Sequence, residues 1–302
     1  MNIKNVLITG GSGFVGQHMT TLLLENGYRV TSLQRNNSAS LPHGVVPIYC
    51  DLRDRSVLKN LPKSWDWVIH LAGESIPSQF KSADTILLNT ELALNLLEHL
   101  EEARVLLVSS CHVYAPSLGL RTEESPIVPQ GRYGLSKHLL EQVAGHYEHK
   151  LDIRIARPFN HLGANQRPEL VIPSLLKRIG LSRSLDPSPI IMKGSNSTRD
   201  FTDVADVVAG YLAILQMEAP DYHVFNVCTG NSLTIKNVAE LVLQILGINR
   251  EIVFEGHANS EDDNPFIVGS PARLMSASKW RAQVPLRLSL ERMLSSQCKN
   301  IY

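Results

Sequence analysis

The chain has 302 residues, 43% of them hydrophobic, and 29 Lys and Arg balance 29 Asp and Glu. At about 150 residues per domain this predicts one large domain or two intimate ones with ample core. Balanced charge leaves no basic field for nucleic acid or an anionic membrane, though a local cationic pocket remains open. The N-terminal "MNIKNVLITGG" runs straight into a predicted strand without a leader pattern, and no apolar run nears the roughly 18 residues that cross a bilayer. The expectation is a cytoplasmic protein with no membrane or nucleic-acid partner.

Short β-branched runs then alternate with helical periodicity, the pattern of a parallel sheet flanked by helices. "NVLIT" reads as the first strand. Gly10-Gly11-Ser12-Gly13-Phe14-Val15-Gly16 follows, a G-x-x-G-x-x-G run between a strand and a helix. Glycines at Gly10, Gly13 and Gly16 let the backbone turn tightly and approach a pyrophosphate, whose charge a helix N-terminus stabilises. The helix "FVGQHMTTLLLEN" repeats Val15, Met19, Leu22 and Leu23 at helical spacing and stops at Asn26-Gly27.

"RVTSLQ" is the second strand, ending Leu33-Gln34-Arg35-Asn36. A dinucleotide site for NAD usually has a carboxylate about 20 residues beyond the glycines, on the ribose 2′-hydroxyl. Here stands Arg35, which suits a 2′-phosphate, so NADP(H) is expected over NAD(H). "VVPIYCD" is the third strand, bringing Asp51 and Leu52 toward the adenine. "WDWVIHLAG" is the fourth, with Leu71, Ala72 and Gly73 lining the cofactor's path across the sheet. "RVLLVSS" is the fifth, preceded by a helix over roughly 84–101.

"SSCHVY", Ser109 to Tyr114, therefore begins where a buried strand ends, the edge at which open α/β sheets bind ligands. Its residue types allow a nucleophile pair, a metal site or a hydrogen-bonding serine. If the extended geometry persists, Cys111 and His112 point to opposite faces and do not form a nucleophile-base pair. Nor is there a G-x-S-x-G elbow. Cys50, Cys111, Cys228 and Cys298 are scattered without a C-x-x-C, so neither a zinc site nor a disulfide framework is written here. His146 and His149, three apart on an expected helix, lack a further ligand. No metal is expected.

Downstream, "RYGLSKHLLEQVAGHY" sets Tyr133 and Lys137 four apart on one helical face. A nearby ammonium favours a phenolate, which would tune the tyrosine for acid-base work. After "RIARPFN" the rhythm changes, as Pro158, Pro168, Pro173, Pro187 and Pro189 break the chain into shorter pieces without clean strand-helix alternation. "RDFTDVADVVAGYLAIL" restores one helix with an acidic first turn and "HVFNVCTG" one strand. The fold expected is α/β, a Rossmann-type doubly wound parallel sheet with a smaller C-terminal lobe. Residues 1–157 with a return segment at about 201–226 would bind the dinucleotide, and about 158–200 with 227–302 the substrate.

Together the glycine loop, Ser110, Tyr133 and Lys137 resemble the extended short-chain dehydrogenase/reductase family, whose members act on nucleotide-sugars. The resemblance runs along essentially the whole chain. It implies that Ser110, four residues before Tyr114, is catalytic with Tyr133 and Lys137, donating a hydrogen bond to a sugar carbonyl. It also implies cofactor contacts by Phe14, Val15, Asn89 and Pro158. "ARPFNHLGANQ", "RDFTDVADVV", "FNVCTGNSLTI" and "GSPARL" look like GDP-6-deoxy-D-mannose reductases, which implies a GDP-linked nucleotide-sugar substrate. Asn160 would lie beside sugar and pyrophosphate, Arg199 would clamp the pyrophosphate, and Arg273 is a further candidate for the substrate, as is His112. Related dehydratases carry acids at the positions of Cys111 and His112, so dehydration is not expected. A 4-epimerase, a reductase of UDP- or dTDP-linked ketosugars, and an NADP(H)-sensing binder are the alternatives. The helices near 84–101 and 134–149 resemble those that pair across a homodimer in this family.

Overall fold

The computed structural model describes residues 3–37, 40–167, 169–181, 188–193, 197–255 and 265–299; Pro168 and Pro187 lie outside them. Its centre is a seven-stranded sheet, every strand parallel to its neighbours. In chain order the elements are β1 (Asn5–Thr9), α1 (Phe14–Glu25), β2 (Arg29–Gln34), β3 (Val46–Tyr49), α2 (Arg55–Leu58), β4 (Ser64–His70), α3 (Ala83–His99), β5 (Glu102–Val108), α4 (Gly131–Gly145) and β6 (Asp152–Pro158). Beyond β6 come β7 (Asn160–Leu162), α5 (Val171–Leu181), β8 (Ile190–Lys193), β9 (Thr198–Arg199), β10 (Phe201–Asp203), α6 (Val204–Gln216) and β11 (Val224–Val227). The chain closes with β12 (Leu233–Thr234), α7 (Ile235–Leu246), β13 (Ile252–Glu255), β14 (Phe266–Ile267), α8 (Ala272–Ala277) and α9 (Leu286–Lys299).

The sheet order is β11-β6-β5-β4-β1-β2-β3. The order therefore reverses beside β1, the crevice where doubly wound sheets take their ligands. Alternation along β1 sends Val6 and Ile8 to one core with Met19, Leu23, Val207 and Tyr211, and Leu7 to the other with Val68, Leu96, Leu97 and Leu140. Burial on both faces explains why these strands read as unbroken apolar runs. The return segment is the helix α6, capped by Asp203, whose carboxylate accepts from Ala205 N at 2.8 Å. It shares a core with α1, and β11 adds the seventh strand beside β6.

Two expectations need correction. The helix placed near 134–149 runs from Gly131 to Gly145. His146 is its C-cap, with its carbonyl 2.9 Å from His149 Nδ1, so the two histidines do not share a helical face. The stretch beyond Pro158 is also more regular than its prolines suggest. It holds α5, α7 and α9, and Ile172, Leu175, Val238, Val242, Leu290 and Met293 form a third core. Pro173 sits in the first turn of α5, where a missing N–H costs no helical bond.

Candidate active site

The glycine loop joins β1 to α1. Gly10 has φ 71°, and a Cβ there would come 2.8 Å from Ala72 N and Leu71 C. On Gly16 a Cβ would strike the Gly10 carbonyl, the same oxygen that accepts from Gly13 N at 3.0 Å. Gly13 caps α1, whose first turn carries no acid. The loop is thus a cradle that side chains would fill, opening onto N–H groups. It fits the pyrophosphate of a dinucleotide. Phe14 is locked between His18, ring centroids 5.5 Å apart, and His161, at 6.1 Å. Val15 packs against the α1-side core.

At the end of β2 the Gln34 side chain turns inward and donates to Ser32 Oγ at 2.6 Å, whereas Arg35 is exposed. Asp51 is clasped by Arg53, with Nη2 at 2.6 Å, and Arg35 adds to the field that holds its carboxyl below the usual range. Leu52 is buried, its carbonyl accepting from Asn95. After β4, Leu71 N and Ala72 N donate to the Thr9 carbonyl and Oγ1 at 3.1 and 3.2 Å, tying this passage to the glycine loop. Gly73, at φ 144°, leaves room for the Asn89 amide. Asn89 is fully buried: Oδ1 accepts from Glu74 N at 2.8 Å, and Nδ2 donates to Glu74 O and Ser136 Oγ, both at 3.1 Å. Its amide holds the cofactor passage to α3 and α4, with every polar group taken by protein. Pro158, at the end of β6, is buried and paired with Val227 in the sheet.

At the end of β5 the extended geometry does not persist. Ser110 (φ −161°) caps one turn of 3₁₀ helix over Cys111–Val113, its Oγ accepting from His112 N at 3.2 Å. The turn faces α4 and brings Ser110 to the Tyr133 side of the site. Phe80 and His112 hold the Tyr133 ring at 5.5 and 5.4 Å. Burial pushes the phenol up to about 12; Ser110 nearby pulls the other way, while Cys111 and Glu74 add to the rise. Lys137 follows one turn along α4. Its Nζ donates to the Val108 carbonyl at 2.9 Å, and burial brings the lysine down to about 8, with Glu141 pushing it back up.

The nucleophile option fails on environment and not on strand geometry. Burial pushes the Cys111 thiol up to about 12 and brings His112 down to about 4, Arg199 adding to the fall. A thiol without thiolate and a base without basicity make no nucleophile pair. Among the described residues no group of three or more His, Cys, Asp or Glu could hold a metal ion, and no helix is long and apolar enough to cross a membrane.

Of the residues expected beyond the sheet, Asn160 starts β7, and its Oδ1 is buried without a hydrogen-bond partner among the described residues. Arg199 is half-buried in β9; its field reaches both Cys111 and His112, which puts it on the Ser110 side. Asp200 beside it accepts from Thr229 N, Thr229 Oγ1 and Gly230 N at 2.8 to 2.9 Å, fixing the loop after β11. Arg273 is not brought to this group. It pairs with Glu124, stands 3.7 Å from Glu123 and donates to the Val224 carbonyl at the opposite end of β11.

Sequence reasoning missed His70 and Glu141. His70 ends β4 with 1% exposure, Nδ1 2.9 Å from Thr9 Oγ1, and feels the charge of Lys137. A lone histidine in the apolar run "WVIHLAG" was its signal. Glu141 follows Lys137 by four, the same arithmetic that paired Tyr133 with Lys137.

A glycine cradle at the switch point and a Ser-Tyr-Lys group at the strand ends define a dinucleotide-dependent oxidoreductase of the short-chain type. The sequence model of the NAD dependent epimerase/dehydratase family matches residues 6–228, and the chain belongs to that family. GDP-6-deoxy-D-mannose reductase of Pseudomonas aeruginosa is 30% identical over 97% of this chain and 96% of its own length. The solved structure of RMD from Pseudomonas aeruginosa complexed with NADPH superposes with a TM-score of 0.82 at 29% identity, covering 98% of this chain and 99% of that one. UDP-arabinose 4-epimerase 1 of Arabidopsis thaliana is 27% identical over 96% of this chain and 78% of its own length. The chain is an enzyme of the NAD(P)-dependent oxidoreductase type.

Proposed function

We propose that this enzyme uses NADP(H) to reduce the C4 ketone of a nucleotide-linked 4-keto-6-deoxyhexose, with GDP-4-keto-6-deoxy-D-mannose as substrate and GDP-D-rhamnose as product. The observation that carries this reading is the turn capped by Ser110 at the sheet's ligand edge, whose His112 ring lies 5.4 Å from the Tyr133 ring on α4, with Lys137 one turn along that helix. The nicotinamide, when bound, supplies the hydride. Ser110 and Tyr133 hold the ketone oxygen where negative charge develops, and Tyr133, kept protonated by burial, delivers the proton. Lys137 carries the positive charge behind them.

Arg35 in place of a carboxylate supports a 2′-phosphate. The unpartnered Asn160 Oδ1 would accept from a sugar hydroxyl, and Arg199 would clamp the pyrophosphate through charge-assisted bonds. His112, neutral and beside Tyr133, would touch the sugar as a hydrogen-bonding group and not as an acid. Residues 158–200 and 227–302 would form the nucleotide-sugar lobe. Exposed Leu87 on α3 and Leu135 on α4 support pairing of these helices in a homodimer. The epimerase relative favours a second reading, a 4-epimerase that keeps its cofactor and returns the hydride to the other face; Arg35 speaks against it, because that chemistry needs no 2′-phosphate contact.

The test is absorbance loss from NADPH on mixing the protein with GDP-4-keto-6-deoxy-D-mannose, beside NADH and a UDP-linked ketosugar. NADPH oxidation yielding GDP-rhamnose is expected. Tyr133→Phe should lower turnover by about 100-fold or more while NADPH still binds. No oxidation with any ketosugar, or full activity in that variant, overturns the reading.

A further inference from the structure

Lys137 shares its helix face with Glu141, one turn on at i+4. Glu141 is 7% exposed and Arg157 of β6 is 6% exposed, and the two meet in a two-point bond, Nε to Oε1 at 2.9 Å and Nη2 to Oε2 at 2.7 Å. Arg157 also donates from Nη1 to Tyr114 Oη at 3.1 Å, with its guanidinium 4.9 Å over that ring. Tyr114 in turn donates to Asn226 Oδ1 at 2.7 Å, and Asn226 N donates to Glu123 at 2.7 Å. A pair buried this deeply is weak evidence for stability, since apolar residues of similar volume serve a core as well.

Its place beside the catalytic lysine gives it another use. We propose that Glu141 is a positioning residue for Lys137: held one turn away by Arg157, its carboxylate keeps the lysine protonated in a dry pocket. The inference rests on Lys137 being the working lysine of the site above. Among the described residues, the groups that act on Lys137 are the Val108 carbonyl from β5, His70 from β4 and Glu141 from α4, with Tyr133 one turn before it on the same helix. His70 is neutral, brought down to about 3 by burial and by Lys137. Tyr133 is protonated at neutral pH. Glu141 is the group that opposes the loss of the lysine's proton, whose midpoint lies at about 8.

Arg157 neutralises part of that carboxylate, so the two partners have opposite effects on Lys137. Removing Glu141 lowers the lysine's pKa; removing Arg157 while keeping Glu141 leaves the carboxylate to the lysine alone and does not lower it. Trace acetylation of Lys137 across pH, read by mass spectrometry on the full chain without substrate, measures the midpoint directly. Expected is a fall of roughly one unit, a tenfold change in the protonation ratio, in Glu141→Gln and in Glu141→Gln with Arg157→Met. Arg157→Met alone should hold or raise the midpoint, and Glu141→Asp should restore it. If Glu141→Gln does not fold, the double variant, which leaves no buried charge unpaired, carries the test. One midpoint in all variants overturns the proposal, as does a fall of equal size in Arg157→Met, which would mark a packing effect. Because no substrate is used, a failed reductase assay and an unmoved midpoint are separate results.

Discussion

The seven-stranded sheet and the chain beyond Pro158 make their sites in different ways. In the sheet half, the glycine cradle, Arg35 and the Tyr133-Lys137 pair each come from one continuous stretch whose strand-turn-helix context fixes them locally. Beyond Pro158 the strands are two to four residues long and pair across distance. β9, which carries Arg199, lies between β12 and β14, and β7, which carries Asn160, pairs with β10. Arg199 owes its position to contacts made by distant segments, among them the Asp200 bonds to Thr229 and Gly230. Cofactor binding should therefore fail through local backbone changes, and substrate binding through single side chains that leave the cofactor in place.

The harshest way to break that contrast is Gly16→Ala. Its Cβ would collide with the Gly10 carbonyl and the Gly11 backbone inside the cradle. Backbone cannot yield as a flexible side chain does, so we expect NADPH affinity to fall by about 100-fold or more, with a marked drop in Tm. Wild-type NADPH binding in this variant, by fluorescence titration, would mean that the loop does not seat the cofactor.

A smaller effect separates the two arginines of the second half. Arg199→Ala should weaken nucleotide-sugar binding about 10- to 100-fold, the worth of a hydrogen bond to a charged group, and leave NADPH affinity alone. Arg273→Ala should leave both affinities unchanged and cost about 3 kcal/mol of stability, because it strips the cation from Glu123, whose side chain is 2% exposed, as well as from the exposed Glu124 and a carbonyl. Equal losses of substrate affinity in the two variants would contradict the separation.

The same contrast decides what could be read from the sequence. β1 and β2 are legible to the residue, since parallel strands buried on both faces are bounded apolar runs. α5 is obscured because Pro173 reads as a breaker although a first helical turn accepts it. Tyr133 and Lys137 stand out by their spacing and Ser110 by the family resemblance, but their surroundings are not legible in either. Lys137 is turned toward Val108, and the turn at Cys111–Val113 replaces the extended strand; both depend on how α4 docks against β5, which no local pattern encodes. Arg273 misled for a related reason: an arginine's sequence neighbours do not reveal whether a carboxylate from elsewhere already holds it.

The mildest prediction compares the buried His70 of the sheet half with the half-buried His161 beyond it. His70 is brought down from 6.5 to about 3 by burial and Lys137, and burial also lowers His161. In each case the unfolded chain takes up the proton first, so the stability these neutral imidazoles contribute is complete above about pH 6.5 and is lost as pH falls below it. Between pH 6.5 and 4.5, urea midpoints for His70→Gln should fall less steeply than for wild type, by up to about 1.4 kcal/mol per pH unit, the slope of one proton. His161→Gln should flatten the slope less, because its hydrogen bond to the Phe159 carbonyl favours the charged ring and opposes the desolvation, whereas Lys137 adds to it at His70. Equal slopes in wild type and His70→Gln would mean that the catalytic end of β4 admits water and charge, and the dry setting inferred for Lys137 would fall with it.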